Sequence, residues 1–210
     1  MLRGVQEWLG YRRDAFGDTV ELWNAGPDFE ALHLRWVADP ILVESMLVHG
    51  LAARDPLAAE ALKHLPLTPD SREEFHEILA ACLGTATVGF HLKAVEALHA
   101  LDSDESWAAE VERVLLGGGF WGDRMEAARV LAAFQPNCGI IQSLSQAIAD
   151  PDYLVRRQAA NTLLFFSGGE PDIAALPQLL ERIRSGTTAA EWASASLELA
   201  TRATDYAASH

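Results

Sequence analysis

Basic side chains are scarce in this sequence. Lysine and arginine together number 16 against 30 aspartates and glutamates, a formal net charge of −14. A surface of that sign repels phosphate backbones and anionic headgroups, because affinity for either comes largely from basic side chains that release counterions. Nucleic acid and membrane surfaces are thereby excluded as expected partners, and a basic protein is favoured. Cysteine is almost missing. Cys82 and Cys138 leave room for a single disulfide at most, but two scattered cysteines on apolar helical stripes read as buried thiols of a reduced, cytoplasmic protein. Long apolar runs are absent too. None approaches the roughly 20 residues of a membrane span, and the opening MLRGVQEWLGYRRD lacks the uninterrupted apolar core of a signal peptide.

What the chain does have is a hydrophobic half, in 210 residues enough for a sizeable core. Its acidity is uneven. Residues 1–105 hold 18 acids against 8 bases, and residues 106–210 hold 12 against 8. It also has a repeat. Leu62, Leu98, Leu131, Leu163 and Leu197 recur at intervals of 36, 33, 32 and 34 residues. Four positions before each stands Ala58, Ala94, Ala127, Ala159 or Ala193, and three before stands Ala59, Val95, Ala128, Ala160 or Ser194. A period in this range without strand signals predicts stacked helical hairpins. The small residues mark where neighbouring helices approach closely, and the leucine fills the seam between them.

Helix punctuation follows the same beat. Asp39-Pro40, Asp55-Pro56 and Asp150-Pro151 place a capping aspartate before a proline suited to the first helical position, with Thr68-Pro69 and Glu170-Pro171 as weaker versions. Asp102 with Glu105, and Thr188 with Glu191, have capping-box spacing. First helices are expected over 40–52, 69–83, 104–116, 138–149 and 171–184, and second helices over 56–65, 89–101, 123–134, 153–166 and 189–203. In the 69–83 helix Phe75, Ile78, Leu79, Cys82 and Leu83 share one face, while Asp70, Glu73, Glu74 and Glu77 share another. Residues 1–38 stand outside the repeat and hold Trp8, Trp23 and Trp36. They read as an irregular helical cap over the open end of the stack, ahead of a repeat region at 39–204 and a frayed tail at 205–210.

The stretch 147–163, AIADPDYLVRRQAANTL, resembles a HEAT repeat of the variant also seen in phycobilisome lyases. The resemblance rests on Asp150 in the turn, then Val155-Arg156, then Ala159, Ala160 and Leu163. Arg124, Ala127, Ala128 and Leu131 form a partial copy. His91 takes the arginine's place in the unit ending at Leu98, and Asp55 takes it in the unit ending at Leu62. Over about residues 40–203 this implies an all-α, right-handed α-solenoid of about five HEAT-like hairpins. It further implies that Asp150, Asp152 and Arg156 bond between neighbouring repeats, and that the second helices line a concave face.

With the alanines and leucines pointing inward, the columns beside them face that groove. Lys93, Glu126, Gln158 and Trp192 form one row, Glu60, Glu96, Arg129 and Asn161 the next, and Lys63 and His99 a third. Tryptophan and arginine are frequent interface anchors, and mixed charge suits protein recognition. The loop Gly117-Gly118-Gly119-Phe120-Trp121-Gly122 is a second candidate contact: two adjacent large aromatics are hard to bury together, though either could fold back into the seam between repeats. It lacks the lysine and the preceding strand of a phosphate-binding loop.

The seven histidines show no convergent ligand logic and no nucleophile stands beside a base, so neither a metal nor a cofactor nor catalysis is expected. The leading expectation is a monomeric, non-catalytic protein-binding module for a basic partner, acting as an adaptor or as a cognate inhibitor or immunity protein. The alternative implied by the resemblance is a phycobilin-lyase-like enzyme or tetrapyrrole chaperone.

Overall fold

The computed structural model describes residues 2–84, 86–186 and 189–209, without the side chains at positions 2, 19, 21, 23 and 189. The expected capping box Thr188–Glu191 and the side chain of Trp23 lie outside the described residues. All regular secondary structure among the described residues is helical. The chain divides into two compact units, Met1–Asp104 and Glu105–His210.

The first unit contains α1 (Leu2–Phe16), α2 (Thr19–Ala25), α3 (Phe29–Ala38), α4 (Pro40–Ala52), α5 (Pro56–Ala61), α6 (Pro69–Leu83) and α7 (Val88–Asp102). Helices α4 and α5 form one hairpin, and α6 and α7 a second. The hairpins lie side by side, α4 on α6 and α5 on α7. Helices α1 and α3 pack on α4. The deepest side chain from α1 is Trp8, fully buried, whose Nε1 donates to Asp55 Oδ2 at 2.9 Å. Asp55 also accepts from Leu57 N at 3.0 Å, capping α5, and pairs with Arg12 at 2.8 Å. Gly50 makes this approach possible. A Cβ there would come within 2.6 Å of Ala58 Cβ and 2.7 Å of the Trp8 ring.

The second unit contains α8 (Ala108–Leu116), α9 (Trp121–Val130), α10 (Cys138–Ala147), α11 (Tyr153–Phe166), α12 (Pro177–Ser185) and α13 (Ala189–Ala207). The pairs α8–α9 and α10–α11 repeat the arrangement, α8 on α10 and α9 on α11. The third pair departs from it. Helix α13 packs on both α10 and α11, and α12 packs on α11 and α13.

Helices α4, α6 and α11 span their expected ranges, and α4 and α6 are capped by the residues their punctuation names. Asp39 accepts from Leu42 N at 3.0 Å and Thr68 from Ser71 N at 3.2 Å. Other caps and ends differ. The N-cap of α11 is Asp152, bonded to Leu154 N at 2.8 Å, and not Asp150. Helix α8 starts later than expected: Asp102 is the last residue of α7, and a 3-10 turn, Glu105–Trp107, leads into α8. Helix α12 starts at Pro177, because the buried Ile173 holds residues 173–175 in a separate 3-10 turn. Helix α13 runs to Ala207, into the stretch read as tail.

Four of the five repeat units keep their expected phase. Ala58, Ala59, Ala94, Val95, Ala127, Ala128, Ala159 and Ala160 are wholly buried, with Leu62, Leu98, Leu131 and Leu163 beside them. The fifth does not. Leu197 is 69% exposed and Ala193 and Ser194 face solvent, while Ala195, Leu199 and Ala203 are buried. The inward stripe of α13 is Trp192, Ala195, Leu199 and Ala203, which carries two large apolar side chains against the single leucine of the expected stripe. Fully burying a leucine contributes about 1.5–3 kcal/mol, so the stripe with more apolar area sets the rotation of the helix.

Candidate functional site

In the first unit the polar columns of the second helices meet one another. Lys93 Nζ lies 3.1 Å from Glu60 Oε1, and Lys63 Nζ lies 2.8 Å from Glu96 Oε1. Lys93 also stands 4.0 Å from the other Glu96 oxygen. Glu96 is buried and so lies beneath the face it was expected to line. Two lysines around one buried carboxylate offset its desolvation, an arrangement that stitches α5 to α7. His99 Nδ1 is 3.3 Å from the carbonyl of Asp104. His64, next to Lys63, stacks on Phe29 at 3.8 Å, and burial together with the Lys63 charge lowers its pKa.

The second unit treats its columns in the same way. Arg129 pairs with Glu126 along α9 at 2.9 Å and remains 41% exposed. Thr162 Oγ1 donates to the carbonyl of Ala128 at 2.8 Å, joining α11 to α9, and Gln158 reaches Thr162 at 3.5 Å. Asn161 Oδ1 accepts from Ile173 N at 2.8 Å and so fixes the turn before α12. The ladder residues are therefore brought together in space, largely by bonding each other.

A column of arginines, seven positions before the buried leucines, carries stronger ties. Arg124 makes two bonds to Asp150, at 2.7 and 3.0 Å, and donates to Gly119 O. The Asp150 bond, opposing burial, raises the Arg124 pKa above its ordinary value. Arg156 donates to Ile183 O at 2.9 Å, Asp150 O at 2.8 Å and Pro151 O at 3.0 Å. Each arginine reaches forward from one helical pair to the next. With α13 in its observed phase, Trp192 occupies the equivalent position, seven before Leu199. It is half-buried, and its ring lies 4.9 Å from the Arg156 guanidinium. Trp192 therefore sits on an internal stack, where sequence reasoning placed it in the groove.

The glycine loop presents its aromatics. Phe120 is 63% exposed and Trp121 37%, with ring centroids 5.1 Å apart. Cys82 is buried, but Cys138 is exposed, because it is the first residue of α10 and the core positions there belong to Ile140, Ile141, Leu144 and Ala147. Among the described residues no group of three or more His, Cys, Asp and Glu side chains could hold a metal, and no helix is long and apolar enough to cross a membrane.

Two features escaped the sequence. One is a pair of hollows around Tyr206, between the α11–α12 loop and the end of α13, which depends on contacts distant in sequence. The other is the fate of the bases on α6. Arg72 donates to Ala100 O and Leu101 O at 3.0 and 2.6 Å, and His76 Nε2 lies 2.9 Å from Asp102. Both bases turn to the end of α7, and Asp70, Glu73, Glu74 and Glu77 remain exposed. Compared with known proteins, the chain matches no family model, and no curated protein or solved structure matches it.

Proposed function

We propose that this chain is a non-catalytic protein-binding module built from HEAT-like helical hairpins, and that its partner is a basic protein. The observation that carries the reading is the carboxylate face of α6. Its own helix contributes two bases, and both are turned towards α7, so four carboxylates face solvent within three helical turns. The outer columns of the second helices, with Lys93 and His99 in the first unit and Glu126, Arg129 and Gln158 in the second, supply further polar contacts. Phe120 and Trp121 supply apolar ones. In this reading α1 to α3 cap the first hairpin, with Trp8 as the wedge.

The test is affinity capture with the full chain at low salt, beside a variant carrying Glu73→Lys, Glu74→Lys and Glu77→Lys. The expected catch is a protein of high isoelectric point that the variant fails to hold. Its association rate should fall at least about tenfold between 20 and 300 mM salt, as for electrostatically steered pairs. A catch retained equally by the variant, or a rate indifferent to salt, would remove the basis of the proposal.

A further inference from the structure

Helix α11 ends in a Schellman motif. Gly169 N bonds to Leu164 O at 3.1 Å and Gly168 N to Phe165 O at 3.0 Å, with Gly168 at φ +70°. That backbone lies directly against the ring of Tyr206, so closely that a Cβ on Gly168 would overlap it. The tyrosine lines two hollows of about 570 and 590 Å³, both of which reach Gly168 and Gly169.

The hollows differ in chemistry. The first is walled by Phe134, Pro136, Phe165 and Phe166. Among the described residues its lining holds no ionisable side chain besides the tyrosine, and Phe165 is 48% exposed. The second contains Glu170, Asp172, Arg202 and Asp205. Its one base among the described residues, Arg202, is paired with Glu198 at 2.8 Å. Asp172 has Arg157 at 3.7 Å. Glu170 and Asp205 bring further negative charge to this hollow, and among the described residues neither is paired with a base. An aromatic hollow and an acidic hollow that share Tyr206, Gly168 and Gly169 as lining suit a ligand carrying an apolar group and a cation close together. Alternate side chains of an extended chain stand about 7 Å apart on the same side, which lets residues i and i+2 enter two adjoining hollows.

We propose that this two-lobed groove of the second unit binds an extended segment of a partner protein, with an aromatic or large apolar side chain in the first hollow and a lysine or arginine two residues away in the second. The inference rests on the protein-binding reading above and names the segment chemistry this unit selects. A second copy of the chain is a poor occupant, since its net charge of −14 opposes entry into an acidic hollow.

The probe is a fluorescein-labelled ten-residue peptide with one phenylalanine, one arginine two residues on, and otherwise glycine and serine, titrated with the full chain in 50 mM salt. Saturable binding is expected. It should weaken at least about tenfold when the peptide's phenylalanine becomes alanine, and again when its arginine becomes glutamate. The same loss is expected for the protein variants Phe165→Ser and Glu170→Lys/Asp205→Lys, whose altered side chains are exposed and whose helical circular dichroism and melting should match the parent. Equal affinity for the three peptides, or parental affinity in both variants, would overturn the groove. The α6 charge-reversal variant, altered in the first unit, should bind the peptide normally. If it loses its captured protein while no peptide binds the parent, the groove fails and the protein-binding reading stands.

Discussion

At the scale of single residues, close approach and paired charge decide the outcome. Gly50 sits in the last turn of α4, where alanine would gain at most about 1 kcal/mol of helix propensity. Its Cβ, however, would meet both Ala58 and Trp8, neither of which has room to yield. Overpacking of this kind costs about 1–3 kcal/mol, so Gly50→Ala is expected to be net destabilising, read as a lower urea midpoint. Arg124 and Asp150 have side chains only 10% and 9% exposed. Removing one partner leaves a buried charge, and Arg124→Ala should cost about 3–5 kcal/mol in urea unfolding, whereas Arg124→Leu with Asp150→Leu should recover most of that loss. Glu198 is softer. A hydrogen bond from Arg182, backed by Arg202, lowers its carboxyl pKa below the ordinary 4.5. The lowered value means that its stabilising share is complete above about pH 4.5 and fades as pH falls through the folded pKa. Since the carboxylate is 35% exposed, Glu198→Gln should cost at most about 1 kcal/mol at pH 7 and less as the solution is acidified below pH 4.5. A cost that grew on acidification would contradict that assignment.

At the scale of elements, α13 is the instructive case. Its sequence offers two apolar stripes, one through Leu197 and one through Trp192 and Leu199, and the interval from Leu163 favours the first. The packing of α13 against both α10 and α11 favours the second, which buries more apolar area. Leu199→Ala is therefore expected to cost about 2–5 kcal/mol, and Leu197→Ser within about 0.5 kcal/mol of nothing, by urea denaturation of each. The reverse order would restore the simple repeat. This contrast also marks what a reader of the sequence can reach. The starts of α4 and α6 were legible because caps such as Asp39 and Thr68 act within a single turn. The inward alanine and leucine columns of the first four units were legible because period and burial agree. The rotation of α13, the late start of α12 after Ile173 and the hollows beside Tyr206 were not, since each depends on which distant helix lies opposite. The same holds for the ladder. Its residue types could be named, but whether Glu96 faced outward or met Lys63 was a question of neighbours.

At the scale of the whole molecule, charge imbalance is the main lever. Thirty acids against 16 bases repel one another in any compact state. Raising salt from about 10 to 150 mM shortens the Debye length from about 30 to 8 Å, which relieves that repulsion more than it weakens close, partly buried pairs. The melting temperature should then rise, by about 2–4 °C for each 1 kcal/mol gained at this size, in a scan at fixed pH. A fall would mean that the ladder pairs outweigh the excess charge. The ladder has another consequence, a practical one. Lys63 and Lys93 are the only lysines in 210 residues, and their side chains are 18% and 17% exposed, each against a glutamate. Acylating reagents, amine-directed cross-linkers and enzymes that modify lysine would find hardly any side-chain amine to attack. The handles this chain offers are the accessible thiol of Cys138 and its abundant carboxylates, and covalent capture of its contacts should begin there.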